Sequence, residues 1–383
     1  MTSEKHESGQ ARPLPVLRAM IDAVDRELLR MLARRYALVG EIAQYKRGHH
    51  LPIRDFQRER EILDDRRDLA TPLGLSPQLV ESMFRLILWA SRDLQAALKA
   101  EVPLDIEPRS VAVIGGKGAM GRCMAAMFAD LGHAVMIADL DTPLKPEEAA
   151  ATADVVLISV PIDATVEVIR RLGPLLRPDA LLTDVTSIKG APMAAMMEST
   201  KAAVVGTHPL FGPSVHSLQG QRVVLCPGRG DRWLEWLRAM FHARGLAMME
   251  STPEEHDRAM SIVQVLTHFS TEVMGRTLAH LGASISDTLA FTSPVYLMEM
   301  LMTARHFAQS PELYASIQMS NPATAEVTSA FARSAAQLRQ IAADKDRAAF
   351  VQMFQEVHDF FGAFTEQALE QSSFLIDRLV ERA

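Results

Sequence analysis

The amino-acid sequence predicts a multidomain α and α/β protein, because three regions of different periodicity follow one another along its 383 residues. From Pro15 to about Ala100, apolar residues recur at three- and four-residue steps, the period of amphipathic helices. Short β-branched runs then alternate with helical stretches, which is typical of a Rossmann-like, doubly wound parallel sheet. After about Ser251 only helical patterns remain. We therefore predict three domains, at residues 14–100, 109–251 and 252–383.

Composition and charge exclude several classes of protein. The chain is 48% hydrophobic and 23% charged, and its net charge of -7 argues against non-specific nucleic-acid binding, which requires a basic surface. Its two cysteines, Cys123 and Cys226, lack metal-ligand spacing and indicate a reducing compartment. The first fifteen residues lack the apolar core of a signal peptide, and no apolar run approaches the roughly 18 residues that cross a bilayer. We expect a cytoplasmic protein without metal, membrane or nucleic-acid partners.

Three helices are predicted in the N-terminal region. The first carries an apolar stripe from Leu17 to Ile42. Breaks at Gly48–Pro52 and at Thr71–Pro77 separate it from the second and third helices, and Ser76 is a candidate N-cap of the third. Three helices in so short a region cannot bury a deep core alone, so we expect dimerisation.

The α/β region is predicted to follow a proline-containing linker at Glu101–Arg109. Its predicted strands are Val111–Ile114, Ala134–Ala138, Val155–Val160, Ala180–Asp184, Ala203–Gly206 and Arg222–Cys226. The helical region that follows has predicted breaks near Pro294 and Pro311. Because strands and helices alternate, we expect the strands to be parallel.

A glycine-rich turn directly follows the first predicted strand. Gly116, Gly118 and Gly121 stand in GxGxxG spacing at the start of a helix, where backbone amides and the helix N-terminus favour a pyrophosphate. The second predicted strand leads to Asp139, whose carboxylate is suited to a ribose 2′-hydroxyl and repels a 2′-phosphate. The sequence therefore predicts NAD binding by this loop, with Met120 beside the glycines.

His208 is the candidate catalytic histidine. It lies in the segment GTHPLFGP, just past the predicted end of a strand, at the edge where open α/β sheets bind ligands. Ser187 follows a neighbouring strand in DVTSIK and faces the same crevice. On these local grounds, a structural turn histidine and a helix-capping serine remain the alternatives.

The motifs GGKGAMG, DVTSIKG, THPLFGP, EEHD and SPVYLMEMLMTARHFAQ together resemble the prephenate dehydrogenase family. The resemblance implies a nucleotide domain followed by a helical dimerisation domain, with substrate bound between them. It implies that His208 accepts the proton of the ring hydroxyl while hydride passes to NAD, after which carbon dioxide leaves and 4-hydroxyphenylpyruvate forms. By the same resemblance Ser187 orients His208, and Arg305 binds a substrate carboxylate.

Two further positions are read through this resemblance. Leu297 stands where some relatives carry a second arginine, which places any contact made there in doubt. His256 falls in a stretch that the family links to the rim of the active site and to inhibition by tyrosine.

Eight polar residues lie on or beside the N-terminal helices: Arg18, Arg35, Lys46, Asp55, Arg58, Glu59, Ser91 and Gln95. Arg35 and Lys46 share one helix face with roughly 16 Å of rise between them, a span over which two long side chains can close around a small dianion. Arg18 lies roughly 25 Å from Arg35 on another side, so we expect it to serve the site of a dimer partner. A solvated helix face is the alternative.

The patterns LRxxID, ARR, Lys46 and RDxxRE resemble the all-helical, intertwined-dimer chorismate mutases. The resemblance places Arg18 of the partner, Arg35 and Lys46 on the carboxylates, and Lys46 with Gln95 on the ether oxygen. It places Asp55 and Glu59 on the substrate hydroxyl, while Arg58 and Ser91 line the pocket.

The sequence thus predicts a bifunctional homodimer of tyrosine biosynthesis that takes chorismate to prephenate and then to 4-hydroxyphenylpyruvate, with tyrosine as feedback inhibitor. One alternative is a dehydrogenase whose N-terminal helices are a non-catalytic regulatory module. Another is a preference for arogenate or another small acid. A third is a non-catalytic NAD-sensing regulator.

Overall fold

The computed structural model describes residues 12–49, 55–97, 107–215 and 217–380. Most of the predicted linker, residues 101–106, lies outside the described residues, as do Arg54 of the RDxxRE pattern and residues 381–383. The description below concerns three parts of the chain, which we call the N-terminal helices (14–97), the sheet region (110–250) and the C-terminal helices (253–380).

The N-terminal helices agree with the sequence prediction. Helix α1 spans Leu14–Gly48, α2 Phe56–Ala70 and α3 Pro77–Ala97, with a short 3-10 turn at Thr71–Leu73. Ser76 caps α3, since its Oγ accepts a hydrogen bond from the backbone nitrogen of Leu79 at 3.4 Å. Apolar side chains along α1 are exposed in the isolated chain, and this group includes Leu28, Leu29 and Met31.

The sheet region contains seven strands in the order β2-β1-β3-β4-β5-β6-β7. The strands are β1 Ser110–Ile114, β2 Ala134–Ala138, β3 Val155–Ile158, β4 Leu181–Asp184, β5 Ala203–Pro209, β6 Arg222–Arg229 and β7 Ala247–Glu250. The helices between them are α4 Ala119–Asp130, α5 Pro146–Thr152, α6 Ile162–Leu172, α7 Gly190–Ser199 and α8 Asp231–Ala243. Strands β1 to β5 are parallel, which confirms the doubly wound sheet.

The far edge of the sheet differs from the prediction in three ways. Strand β6 runs antiparallel to β5, because a connection without a crossover helix leads from one strand back beside the other. Strand β5 extends three residues past the predicted Gly206, and His208 pairs with Val224 inside the sheet. Strand β7 was not predicted, since its four residues are largely exposed and lack a buried apolar run.

Two apolar layers cover the sheet, one on each face. Alternate residues of β1 point to opposite layers, so that Val111 and Val113 pack with Phe128 of α4 while Ala112 and Ile114 pack on the other side. This alternation explains why the central strands are apolar throughout, as buried parallel strands are. The carboxyl ends of β1 to β5 therefore lie at one edge, between the two layers of helices.

The C-terminal helices begin at a capping box in which Thr252 and Glu255 satisfy each other's backbone amides. They are α9 Pro253–Met260, a π-helical turn Ser261–Leu266, α10 Thr267–His280, α11 Ile285–Ala290, α12 Pro294–Phe307, α13 Pro311–Ser320, α14 Thr324–Asp344, α15 Arg347–Phe361 and α16 Phe364–Val380. Pro294 and Pro311 begin helices, in agreement with the predicted breaks. Within the described part of the chain, no helix is both long and apolar enough to cross a membrane.

The buried layer on the α4 side of the sheet yields a stability prediction. Leu131 is fully buried there, so Leu131→Ala should lower the free energy of unfolding by about 2–5 kcal/mol, through lost burial and a residual cavity. Leu140→Ala is the matched control, because Leu140 is 86% exposed, and its effect should stay within about 0.5 kcal/mol. Urea unfolding followed by tryptophan fluorescence measures both changes. Equal midpoints for the two variants would contradict this packing.

Candidate active sites

The turn between β1 and α4 is shaped by four glycines, one more than the predicted set. Gly115 has a φ of +79°, and a Cβ there would lie 2.3 Å from the carbonyl oxygen of Ser159. A Cβ on Gly121 would lie 2.5 Å from the Gly115 carbonyl oxygen. Both collisions are with backbone, so only glycine fits without a shift. The turn therefore presents bare backbone at the N-terminus of α4, as a bound pyrophosphate requires.

The predicted acid lies beside this turn. Asp139 follows β2, and its Oδ2 accepts a hydrogen bond from the backbone nitrogen of Lys117 at 3.0 Å. Its Oδ1 accepts from the nitrogen of Leu140 at 2.9 Å. Met120 is half-buried and packs against the apolar layer beneath α4. The structure thus brings the predicted glycines and Asp139 together, which fits a dinucleotide with a free ribose 2′-hydroxyl.

The candidate catalytic histidine lies within β5, not in a loop after it. His208 is 3% exposed, and its Nδ1 lies 2.8 Å from Nε2 of His256 on α9. Its Nε2 lies 3.4 Å from Nε2 of Gln264. Burial first, then electrostatic interactions with His256 and Lys189, lower the pKa of His208 well below its ordinary value. The imidazole is therefore neutral near pH 7 and competent to accept a proton.

The expected contact between Ser187 and His208 is not formed. Among the hydrogen bonds of the described residues, none joins these two side chains, and His256 occupies Nδ1 of His208 instead. The physical reason is the extension of β5, which holds His208 in the sheet beneath α9, while Ser187 lies in the connection between β4 and α7. Sequence spacing did not show that the start of the C-terminal helices packs onto this strand.

A buried ion pair lies in the same connection. The side chains of Lys189 and Asp184 are both fully buried, and Nζ of Lys189 donates to Asp184 and, at 2.7 Å, to the carbonyl oxygen of Thr207. Asp184 also accepts from Thr186, so the carboxylate is fully engaged. This pair anchors the strand that carries His208. A fully buried lysine is rare without such a partner, but the sequence offered no sign of its burial.

Arg305 is exposed on α12 in the isolated chain. No contact joins its side chain to His208 within the described residues, so the structure of one chain does not bring the two together. Its neighbour His306 lies 3.1 Å from Oε1 of Glu272 on α10 and stacks near Tyr314. The position of Leu297 lies about two turns earlier on the same helix.

Three of the predicted mutase residues meet between α1 and α3. Arg35 donates a hydrogen bond to Oγ of Ser91, and Nε2 of Gln95 donates to the carbonyl oxygen of Ser91 at 3.2 Å. Burial, opposed by Tyr36, lowers the pKa of Arg35, and Oε1 of Gln95 is buried without a hydrogen-bond partner. A cation and an incompletely satisfied amide thus lie together in a partly buried site, as polar recognition of a small anion requires.

Glu59 on α2 pairs with a residue of α3 that the sequence reasoning missed. Arg92 of α3 donates to Oε1 of Glu59 at 2.5 Å, and both side chains are largely buried. Arg92 lies next to Ser91 and nearly one turn before Gln95, a helical spacing that was the available signal. The pair joins α2 to α3, one residue along the chain from Ser91.

The remaining predicted mutase residues are placed differently. Asp55 caps α2, because its Oδ1 accepts from the backbone nitrogen of Arg58 at 2.9 Å. The side chain of Arg58 points instead to Glu61, at 3.3 Å, in an exposed ion pair. Lys46 is half-buried near the end of α1, and Arg18 is exposed near its beginning. In one chain, therefore, the cluster of Arg35, Ser91 and Gln95 forms without Arg18.

No group of histidine, cysteine, aspartate or glutamate side chains suited to a metal ion occurs among the residues that the structure describes.

Comparisons with known families divide the chain in the same way. Residues 17–96 match chorismate mutase type II. Residues 120–250 match the nucleotide-binding domain of prephenate dehydrogenase, and residues 252–356 match its dimerization domain.

Whole-length relatives carry the same combination. The chain is 35% identical to the T-protein of Haemophilus influenzae over 94% of its own length and 96% of the relative's. It is 35% identical to the T-protein of Enterobacter agglomerans, over 95% and 97% of the two lengths. Its fold resembles prephenate dehydrogenase from Aquifex aeolicus, solved with hydroxyphenyl propionate and NAD+, with a TM-score of 0.53 and 20% identity over 66% of this chain and 97% of that one.

The matched families supply both activities on one chain: conversion of chorismate to prephenate, and NAD-dependent oxidation of prephenate in tyrosine biosynthesis. The polar cluster of the N-terminal helices and the glycine turn with His208 lie within the corresponding matched parts or directly beside them. The chain belongs to the T-protein family of bifunctional chorismate mutase and prephenate dehydrogenase enzymes.

Proposed function

We propose that the two reactions take place at two separate sites, one among the N-terminal helices and one where the sheet meets the C-terminal helices. The domains that carry them are residues 14–100 for the mutase, 109–251 for NAD and 252–383 for substrate binding and dimerisation. The observation that carries the dehydrogenase half is the buried, neutral His208 at the carboxyl-end edge of the sheet. The contact of Arg35 with Ser91 carries the mutase half.

The mutase site acts by holding and polarising its substrate. The rearrangement of chorismate is unimolecular, so a site that selects the reactive conformer and donates hydrogen bonds to the oxygen that gains charge is sufficient. Arg35, Lys46 and the partner's Arg18 bind the two carboxylates. Gln95 and Lys46 donate hydrogen bonds to the ether oxygen. Asp55 and Glu59 bind the substrate hydroxyl. Arg58 and Ser91 line the wall of the pocket.

A homodimer completes this site. The exposed apolar side chains of α1, such as Leu28, Leu29 and Met31, form a surface too apolar for a lone helix in water. A second copy of α1 packed against it buries these residues and brings its Arg18 toward Arg35. The same reasoning applies to the C-terminal helices, where Phe354 and Phe360 are exposed in the isolated chain.

The dehydrogenase site acts through His208 as a general base. Gly116, Gly118, Gly121 and Asp139 would hold the dinucleotide, with Met120 beneath them, and bound NAD would supply the hydride acceptor for the ring carbon that bears the hydroxyl. Nε2 of His208 takes the hydroxyl proton, so a carbonyl forms at that carbon. The bond to the ring carboxylate then breaks, its electrons complete the aromatic ring and carbon dioxide leaves. The former carbonyl oxygen, now a phenolate, takes a proton back from Nε2 of His208, which gives 4-hydroxyphenylpyruvate.

The remaining residues of the dehydrogenase site bind substrate. Arg305 pairs with a carboxylate, which a guanidinium binds in bidentate geometry. Ser187 contributes its hydroxyl from the connection before α7. We propose prephenate as the substrate and tyrosine, which shares the phenol ring of the product, as the feedback inhibitor. Both reactions are proposed to take place in the cytoplasm.

The glycine turn can be tested without altering any polar residue. Gly121→Ala should weaken NAD binding by about tenfold or more, because the added Cβ forces the backbone of Gly115 away from the pyrophosphate. Gly40→Ala is the matched control, since nothing lies within 4 Å of its Cβ position. Calorimetric titration with NAD measures both affinities. Unchanged affinity in Gly121→Ala would show that the turn does not hold the dinucleotide.

Removal of the base should separate the two activities. His208→Asn should lower the dehydrogenase kcat by about 10²-fold or more, because the amide cannot accept the hydroxyl proton. The mutase rate should stay unchanged, since its residues lie on other helices. His242→Asn, at an exposed histidine of α8, is the control and should leave NADH formation as in the wild type. Full NADH formation by His208→Asn would refute its role as the base.

The converse variant tests the mutase pocket. Lys46→Ala should lower the rate of prephenate formation by about 10²-fold or more, through loss of a donor to the ether oxygen. NADH formation from added prephenate should be unaffected. Lys201→Ala, at an exposed lysine after α7, serves as the control. A mutase rate within a few-fold of the wild type in Lys46→Ala would place the pocket elsewhere.

A further inference from the structure

Two buried residues of α9 lie directly behind His208. The capping box at Thr252 starts this helix so that His256 and Asp257 face the sheet, and both are almost completely buried. Nδ1 of His256 lies 2.8 Å from Oδ1 of Asp257, and Nε2 of His256 lies 2.8 Å from Nδ1 of His208. The three side chains therefore form one continuous chain of hydrogen bonds.

The carboxylate of Asp257 sets the direction of this chain. An ionised carboxylate only accepts hydrogen bonds, so Nδ1 of His256 carries the proton. In a neutral His256, Nε2 is then an acceptor, and Nδ1 of His208 must donate to it. Nε2 of His208 is consequently left without a proton. This is the nitrogen whose lone pair a base needs, and it lies 3.4 Å from the side-chain nitrogen of Gln264, which as an amide nitrogen can only donate to it.

Asp257 is itself held from the sheet region. Its Oδ1 accepts from the backbone nitrogen of Lys189 at 2.7 Å, and its Oδ2 accepts from that of Gly190 at 2.9 Å. Burial raises the pKa of Asp257, but hydrogen bonds from His256, Gly190 and Lys189 outweigh it and lower the pKa overall. The carboxylate therefore stays ionised near pH 7. The other buried carboxylate nearby, Asp184, is engaged by the Lys189 ammonium.

We propose that Asp257 and His256 are positioning residues of the dehydrogenase, which hold His208 in the tautomer whose unprotonated Nε2 faces the substrate. The inference rests on the proposed role of His208 as the base. When Nε2 takes the substrate proton, Nδ1 keeps its own proton and its hydrogen bond to His256. The negative charge of Asp257 lies behind the resulting imidazolium and stabilises it, as a carboxylate behind a catalytic histidine does in other enzymes.

A purely structural role is the competing explanation, because Asp257 also joins α9 to α7. The two explanations predict changes in different measured quantities. A positioning role predicts a loss of kcat with substrate and NAD binding preserved. A structural role predicts that the KM for prephenate, the NAD affinity and the unfolding midpoint change together with kcat.

A matched pair of variants tests the proposal. His256→Gln can keep both hydrogen bonds, with the amide oxygen accepting from His208 and the amide nitrogen donating to Asp257. His256→Leu fills similar space and keeps neither. We expect kcat to fall by about 10- to 10³-fold in His256→Leu, and to recover at least about tenfold in His256→Gln. The KM for prephenate and the dissociation constant of NAD should stay within about twofold, and the mutase rate of the same chain should be unchanged.

A spectroscopic measurement on the unmodified enzyme tests the tautomer directly. With histidine rings labelled by 15N and the His208 signals assigned by their absence in His208→Asn, Nδ1 should be the protonated nitrogen and Nε2 the unprotonated one. A proton on Nε2 would overturn the proposal, as would a normal kcat in His256→Leu or equal losses in the Leu and Gln variants. If His208→Asn itself retained NADH formation, the proposed function would fail first, and independently of these results.

Discussion

The hydrogen bond between His208 and His256 is the contact on which the dehydrogenase half of the structure depends. It joins the last residues of β5 to the first helix after the sheet, so the base is held by two parts of the chain at once. Burial at this junction keeps the imidazole of His208 neutral. Hydrogen bonds from the backbone at the start of α7 to Asp257 fix the position of α9. A shift between the sheet and α9 would therefore displace Nε2 of His208, the proposed catalytic nitrogen. The glycine turn meets the same edge, because β1 and β5 end in the same direction.

The N-terminal helices solve a different physical problem. Their reaction needs no proton transfer, and the proposed site accordingly uses cations and amides; among them, Arg35 is partly buried and hydrogen-bonded to Ser91. The isolated chain leaves the apolar side of α1 open and Arg18 remote from the cluster. The proposed homodimer would bury this apolar side of α1 and would bring the partner's Arg18 toward the cluster. In the proposed homodimer, the stability of these helices and the completeness of the mutase site would depend on the same interface.

Sequence periodicity predicted the elements well where burial follows the local pattern. Local patterns of side chains were enough to predict three features. These are the helix cap at Ser76, the helix starts at Pro294 and Pro311, and the strands β1 to β4. The extension of β5, the antiparallel β6 and the partner of His208 depend on which distant segments pack together, and local patterns carry no such information. For the same reason the sequence predicted Ser187 as the hydrogen-bond partner of His208, whereas the structure has His256 in that place. The pair of Arg92 with Glu59 was missed for this reason too. The EEHD motif drew attention to His256 and Asp257 in the sequence. It gave no indication that their side chains face the sheet.

The central claim is that one chain carries both reactions, the first of which produces the substrate of the second. NADH formation by the purified enzyme, supplied with NAD and with either prephenate or chorismate at equal concentrations, tests it most directly. The account predicts immediate NADH formation from prephenate and formation after a lag from chorismate, because chorismate must first be rearranged. NADH from prephenate alone would contradict the mutase half, and NADH from neither substrate would contradict the account as a whole.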